Sequence, residues 1–344
     1  MKLINFREKS TLVASMLTSR LINSFRNPSL LKYHNILCIK DDEIGDMCYS
    51  LHVFKMLRNQ YPDANITVLC KPYSVPLLQS DPSVSRIITD KKERTGDYDL
   101  IIDLKVTWKS MAYALRVWPK ARLDRGTVRF ADAFQKKYPH EVETNYKVVV
   151  PVISPANQVK IPVLVLSEND NRDASKFMEE NNLHQFAMMH ISARRVLRQW
   201  PAENYAAIAK YMHDVKGWDI VFVGGPGEED DIAKVMKALP FTTCSTAGKL
   251  SLSSLAALMK RASLFIGNES GPLHIAALMK LPCIGLYGPG PQFIFYPFGN
   301  TSTYIHHVLE CNPCDQIHCV HPENPCIRRI TIAEVTEHIK KMIA

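Results

Sequence analysis

The stretch that decides the fold runs from Ser263 to Pro289, SLFIGNESGPLHIAALMKLPCIGLYGP. Ser263–Gly267 is a short apolar run of the kind that forms a buried parallel strand. Asn268-Glu269-Ser270-Gly271-Pro272 is a polar turn. Leu273–Met279 predicts a short helix, with Pro272 at its first position, where a missing N–H costs nothing. Cys283–Tyr287 is a second apolar strand, closed by Gly288-Pro289. Strand, tight loop, helix, strand is the repeating unit of a parallel sheet. In such sheets ligands gather at the carboxyl ends of strands, and free N–H groups at a helix start attract anions. The loop 268–274 is therefore either a cradle for a phosphate-bearing ligand or a plain turn whose Gly and Pro serve backbone geometry.

The same alternation extends outward in both directions. Upstream come strand Phe186–His190, helix Ala202–His213, strand Asp219–Val223, helix Glu228–Leu239, a short strand near Thr242–Cys244 and helix Ser251–Lys260. A second series occupies the N-terminal half. It has strands at Asn35–Lys40, Ile66–Cys70, Val84–Ile88 and Tyr98–Leu104, and helices up to about Asn59, at Pro72–Leu78 and at Ser110–Val117. Lys120–Arg129 reads as a basic stretch. Strands alternating with helices give mostly parallel, doubly wound sheets. Pro151–Pro162 holds three prolines without periodicity and reads as the connection between two halves. The expectation is an α/β protein with two Rossmann-like domains, 34–160 and 161–330, and a ligand cleft between them. Residues 1–33 form an N-terminal extension, and 331–344 a terminal helix expected to pack back on the first domain.

A chain of 344 residues with 46% hydrophobic and 22% charged side chains suits such a two-domain body. The net charge of +8 is concentrated at the start, where residues 1–40 carry seven basic side chains against Glu8 alone. Positive charge of this size fits an anionic ligand or lipid surface; nothing in the pattern points to nucleic acid. Residues 11–25 place Leu12, Val13, Met16, Leu17, Leu21, Ile22 and Phe25 at helical spacing. That helix is too short to span a bilayer. It suits either an interfacial helix on anionic lipid or a helix packed on the body of the protein. A secretory signal is not legible, so the expected location is cytoplasmic, with peripheral contact at a membrane surface if that helix is interfacial.

Five segments fall at expected strand ends: Gly45-Asp46, Arg198-Gln199-Trp200-Pro201, Gly224-Gly225-Pro226-Gly227-Glu228, Ala247-Gly248-Lys249-Leu250-Ser251-Leu252 and Asn268–His274. With YDLIIDL at 98–104 and PCIGLYGP at 282–289, their order and spacing resemble the heptosyltransferases of glycosyltransferase family 9, from about Asn35 to the C-terminus. The resemblance implies an inverting enzyme of the GT-B fold that moves a heptose from ADP-heptose to a lipopolysaccharide inner-core acceptor. It implies that Asp46 is the general base, with Asp41, Asp42 and Glu43 as neighbouring carboxylates. At a helix start Asp46 is expected to ionise readily and to be a weak base. Arg198 stands where the family more often has Lys on the nucleotide diphosphate, and Arg194 and Arg195 could share the task. Ser192, Ser270 and Gly271 would contact the same phosphates. Gly225, Glu228 and Leu250 would flank the nucleoside, and His274 the donor. Glu269 replaces the commoner Asp expected on the sugar hydroxyls, which leaves the donor sugar open.

Cys311, Cys314, Cys319 and Cys326 lie within sixteen residues, with His318 and His321 between them. Their spacing fits a structural zinc or iron site as well as unligated thiols. A catalytic metal is not expected, because no Asp-x-Asp motif sits at a strand end. Two other functions fit the same residues: a protein heptosyltransferase of the autotransporter-modifying type, or a transferase using another nucleotide sugar. A sugar-nucleotide-binding module without catalysis is the non-enzymatic alternative.

Overall fold

The computed structural model describes residues 6–24, 26–94 and 96–343; Phe25, counted above on the apolar face of the first helix, lies outside them. The chain divides into two compact units, 1–165 and 166–344. The first contains, in order, α1 (Phe6–Asn23), β1 (Asn35–Lys40), α2 (Ile44–Cys48), α3 (Leu51–Gln60), β2 (Asn65–Cys70), β3 (Arg86–Ile88), β4 (Leu100–Asp103), α4 (Trp108–Val117), β5 (Ala121–Asp124), α5 (Arg125–Phe134) and α6 (Glu141–Val149). The second contains α7 (Glu168–Glu180), β6 (Phe186–His190), α8 (Ala202–Lys216), β7 (Asp219–Phe222), α9 (Glu229–Lys237), β8 (Cys244–Ser245), α10 (Leu252–Met259), β9 (Leu264–Asn268), α11 (Gly271–Leu278), β10 (Cys283–Tyr287), α12 (Gln292–Phe295), β11 (Ser302–His306) and α13 (Ile332–Met342).

Both sheets are parallel throughout, with orders β3-β2-β1-β4-β5 and β11-β10-β9-β6-β7-β8. Each order reverses beside its first strand: β1 lies between β2 and β4, and β6 between β7 and β9. Those reversals are the switch points where α/β sheets bind ligands. Two Rossmann-like parallel units are the construction expected of a GT-B enzyme.

Several elements depart from the sequence reading. The basic stretch 120–129 contains a whole strand and the start of a helix. Its strand, Ala-Arg-Leu-Asp, is fully buried although it is half charged. Arg122 lies between Asp103, at 2.7 Å, and Asp124, at 3.2 Å. An ion pair satisfied inside the fold leaves no apolar run to detect. The C-terminal helix joins the core of the second unit. α13 packs on α8 and β10, and its Val335 and Ile339 join the core around Trp200.

The first helix is also part of a unit rather than an appendage. α1 packs on α5, β5 and α4. Its buried positions are Ser15, Ser19 and Ile22. The Ser15 and Ser19 hydroxyls donate to Asp124 at 2.6 and 2.5 Å, while Arg122 donates to the Ser15 carbonyl at 3.1 Å and the Ser19 hydroxyl at 2.8 Å. The Asn23 side chain pairs with both backbone groups of Arg122. So two of the three buried positions are small and polar, and Val13, Leu17 and Leu21 face outward.

Candidate active site

In the first unit the carboxyl end of β1 feeds an acidic loop. Asp41 pairs with Lys71 at 3.5 Å and with Lys91 at 2.6 Å. Asp42 pairs with Lys40 at 3.2 Å and with Lys105. Glu43 accepts from the Tyr73 hydroxyl at 2.9 Å and is the N-cap residue of α2, although its side chain makes no capping bond. Asp46 therefore is not the cap. It sits in the first turn, its carboxylate about a quarter exposed and 3.8 Å from the fully buried Lys40 ammonium.

Burial pushes the Asp46 carboxyl above its usual range, while Lys40 pulls the other way and Glu141 adds to the rise. This reverses the expectation of a weak base. Desolvation outweighs the helix-start field, and a carboxylate with a raised pKa accepts a proton more strongly. Glu141 itself is held at about 2, because Arg125 and Arg129 outweigh its burial. Lys40 was not singled out from sequence. A lysine ending an apolar strand was the available signal.

In the second unit the residues named from sequence gather at the β6/β9 end of the sheet. The Asn268 side chain joins two loops: it accepts from the Trp200 N–H at 2.9 Å and donates to the Ile191 carbonyl at 2.8 Å. Trp200 is buried, and its indole N–H donates to the Ile330 carbonyl at 2.8 Å. This anchors the 192–200 loop against β9 and fixes where Arg198 stands. The Arg198 guanidinium is a quarter exposed and lies 3.2 Å from Glu269, which is almost fully buried. From the other side its Nε donates to Gln316 at 2.6 Å. Glu269 is hemmed in as well, since a Cβ at Gly290 would come within 2.2 Å of its Oε2.

Ser270 is the N-cap residue of α11, yet its hydroxyl does not cap the helix. It bonds His190 Nδ1 at 2.8 Å and donates to the Asn268 carbonyl at 3.1 Å. Gly271 opens the helix, and His274 in its first turn is buried. His190 Nε2 lies 3.4 Å from Glu228, whose Oε2 also accepts from the Gly225 N–H at 2.7 Å. Burial would raise the Glu228 carboxyl, but hydrogen bonds from His190, Gly225 and Ser192 hold it below the usual range. His190 thus links the loop after β9 to the loop after β7. It was missed in the sequence, although it is the last residue of a strand at the ligand end. Leu250 lies half-buried just before α10 and makes no bond to this network.

The cysteines lie beside this network. Cys311, Cys314, Cys319 and Cys326 line one hollow with Leu197, His318 and His321. Burial raises the thiols of Cys314 and Cys326. Cys314 accepts from the Gln316 N–H at 3.4 Å, and Cys326 from the Asn312 amide at 3.8 Å. Among the described residues no three His, Cys, Asp or Glu side chains converge to hold a metal. The cysteine loop nevertheless reaches the site chemistry, because Gln316 lies within it.

A family model described as glycosyltransferase family 9 (heptosyltransferase) matches residues 89–324. The chain belongs to this family. It is a glycosyltransferase of the heptosyl-transferring kind. Curated relatives include lipopolysaccharide heptosyltransferase 3 of Escherichia coli, 25% identical over 74% of this chain and 84% of the relative. Lipooligosaccharide heptosyltransferase 2 of Haemophilus influenzae is 26% identical over 79% and 88%. A family 9 glycosyltransferase from Veillonella parvula superposes with a TM-score of 0.77 at 20% identity, over 91% of this chain and 98% of that one. The E. coli ADP-heptose heptosyltransferase II gives 0.71 at 21%, over 90% and 98%. The iron-containing dodecameric glycosyltransferase TibC of enterotoxigenic E. coli gives 0.57 at 16%, over 92% and 80%. At these identities the solved structures establish the shared fold. The family match includes Arg198, Glu269, Gln316 and three of the four cysteines, whereas Cys326 and Asp46 lie outside the matched residues.

Proposed function

We propose that this family 9 member is an inverting transferase that moves a heptose from ADP-heptose to a lipopolysaccharide inner-core acceptor. The observation that carries the reading is the Arg198–Glu269 pair beside the N-terminus of α11, at the carboxyl end of β9. A guanidinium and a helix N-terminus suit a leaving diphosphate. Ser270 and Gly271 would face the phosphates, with Ser192 and Arg198 beside them. Gly225, Glu228 and Leu250 would flank the nucleoside, and Glu269 and His274 the sugar. Asp46 would act on the acceptor. As the acceptor hydroxyl oxygen bonds to the anomeric carbon, the carbon–oxygen bond to the diphosphate breaks and the hydroxyl proton passes to the Asp46 carboxylate. The configuration at the anomeric carbon inverts.

The donor and acceptor follow the relatives, which are named lipopolysaccharide or lipooligosaccharide heptosyltransferases. A lipid-linked acceptor places the enzyme in the cytoplasm at the inner membrane surface. Among the described residues no helix is long and apolar enough to cross a membrane. Incubating the native protein with a panel of sugar nucleotides, with and without lipid-linked core oligosaccharide, tests the reading. Acceptor-dependent release of ADP from ADP-heptose is expected. Release that ignores the acceptor, or none from any donor, would refute it. Arg198→Ala is expected to lower turnover about tenfold to a hundredfold, below the effect of losing a buried oxyanion donor, because Arg198 is part-exposed and shared with Glu269. Arg198→Lys should restore part of that loss.

A structural zinc or iron at Cys311, Cys314, Cys319 and Cys326 belongs to the same reading. Four thiols line one hollow, and one fold neighbour, TibC, is described as iron-containing. In the present arrangement the thiols do not converge, so they would have to rotate inward to hold an ion. Elemental analysis of the native protein is expected to find about one ion per chain. A metal-free protein with full transfer activity would leave four unligated thiols.

A further inference from the structure

The first unit carries an apolar outer face that its own core does not use. Ile22 of α1 and Tyr113 and Ala114 of α4 lie in one cluster with Leu37, Ile39 and Ile101. Leu37 and Ile101 are register partners, and Ile39 lies two residues along, so both helices cover the same face of the sheet. Their outer sides are therefore neighbours. On α1 that side shows Val13, Leu17 and Leu21, exposed by 36, 54 and 53%. On α4 and its C-cap it shows Trp108, Leu115 and Trp118, exposed by 57, 40 and 48%. Spacing by four residues makes the α1 set one continuous stripe.

Scattered apolar side chains on a surface are ordinary, but six large ones on two adjacent helices form a patch. The inward face of α1 sharpens the point. Ser15 and Ser19 face in beside Ile22, while Val13, Leu17 and Leu21 face out, so the exposed apolar stripe does not serve the core. The charge on these helices is mainly positive, with Glu8 in the first turn of α1 as their one carboxylate. Lys9 and Arg20 on α1 and Lys109 and Arg116 on α4 are exposed, and there is no carboxylate in 9–24 or 108–117.

We propose that the outer face of α1 and α4 docks on an anionic lipid surface. Apolar side chains flanked by basic ones bind the boundary between headgroups and acyl chains, and indoles settle at headgroup depth. Each Lys or Arg near an anionic leaflet adds attraction to lipid phosphate. Basic side chains that outnumber a single carboxylate select that surface over a protein of mixed charge. The proposal takes its purpose from the transferase reading, which needs access to a lipid-linked acceptor. Its measurement does not depend on that reading.

The test is flotation of the full-length protein with phosphatidylglycerol-rich vesicles and with pure phosphatidylcholine vesicles. No sugar nucleotide is present, so the result is independent of transferase activity. Binding to the anionic vesicles, weakened by salt, is expected. The double variant Leu17→Glu/Leu21→Glu should lower it by at least about tenfold. Arg20→Glu/Arg116→Glu should remove the salt-sensitive part. All four positions are exposed, so the variants should keep the native circular dichroism and melting temperature. Removal of the whole helix is avoided, because it would uncover Arg122 and Asp124. The proposal is overturned if the native protein does not prefer anionic vesicles, or if the Leu17/Leu21 variant binds as well as native. It is also overturned if the native protein is a dimer that this variant dissociates, since the face would then join two copies of the chain.

Discussion

Asp46→Asn should lower turnover by roughly 10²- to 10⁴-fold, the usual contribution of a positioned general base. Asn has the shape of Asp but cannot take the acceptor's proton. Lys40 keeps its Asp42 partner at 3.2 Å, so the fold around it should hold. Binding of ADP should be unchanged, because the residues assigned to the nucleotide belong to the other unit. In the native enzyme kcat/KM should rise with pH as Asp46 loses its proton. That limb should lie above the ordinary Asp range of about 4, because burial pushes its carboxyl up. The limb should be missing from the residual activity of the variant. Steady-state ADP release across a pH series reads both effects. If the variant stayed within about threefold of native, the base would be another group. Asp41 and Asp42 are poor substitutes, since each is already paired with two lysines.

The raised Asp46 carboxyl has a stability consequence of its own. A carboxyl harder to ionise in the folded state than in the unfolded one costs stability at neutral pH. The first unit offsets such costs with its buried ion network, and the second large effect is expected there. Arg122→Ala should destabilise the unit by about 3–5 kcal/mol, the cost of leaving buried charges without their partner. Asp103 and Asp124 would both lose a guanidinium, with their carboxylates fully enclosed. Ser15→Ala and Ser19→Ala should cost about 1 kcal/mol each, as lost hydrogen bonds to one carboxylate. Calorimetry or urea denaturation would measure these losses. An Arg122→Ala protein as stable as native would show that α1 and β5 are not held together by this network.

The same network sets the acid limit. Burial alone would raise Asp124, but Arg122, Ser15, Ser19 and Thr127 hold it below its usual value. Glu141 is held at about 2 by Arg125 and Arg129. Both are depressed carboxyls, so the stability they give is complete above the unfolded carboxylate range near about pH 4. It is lost as the pH falls through their folded values. For Glu141 that window runs from about pH 4.5 down to about pH 2. In Glu141→Gln acid unfolding should lose its dependence on that window.

Much of this protein is legible in its sequence, and for a definite reason. β1, β6 and β10 are short apolar runs followed by turn residues, and buried parallel strands have few other ways to be written. Asn268-Glu269-Ser270-Gly271-Pro272 announces a tight turn into a helix wherever it is placed. Such signals are local, so the alternating α/β order and the position of the ligand-end loops follow from the chain alone. Tertiary structure decided what depended on pairing. β5 is a strand because Arg122 found Asp103 and Asp124, and β11 because β10 offered a parallel edge. α1 turns its serines inward because that ion network needed donors, which left its leucines outside. α13 packs on the second unit because Val335 and Ile339 complete the core around Trp200. His190, Asn268 and Gln316 join the site through partners 80, 68 and 118 residues away in sequence. Residue type and spacing fix what a segment can be, but a hydrogen bond across that distance exists only once the sheet has formed.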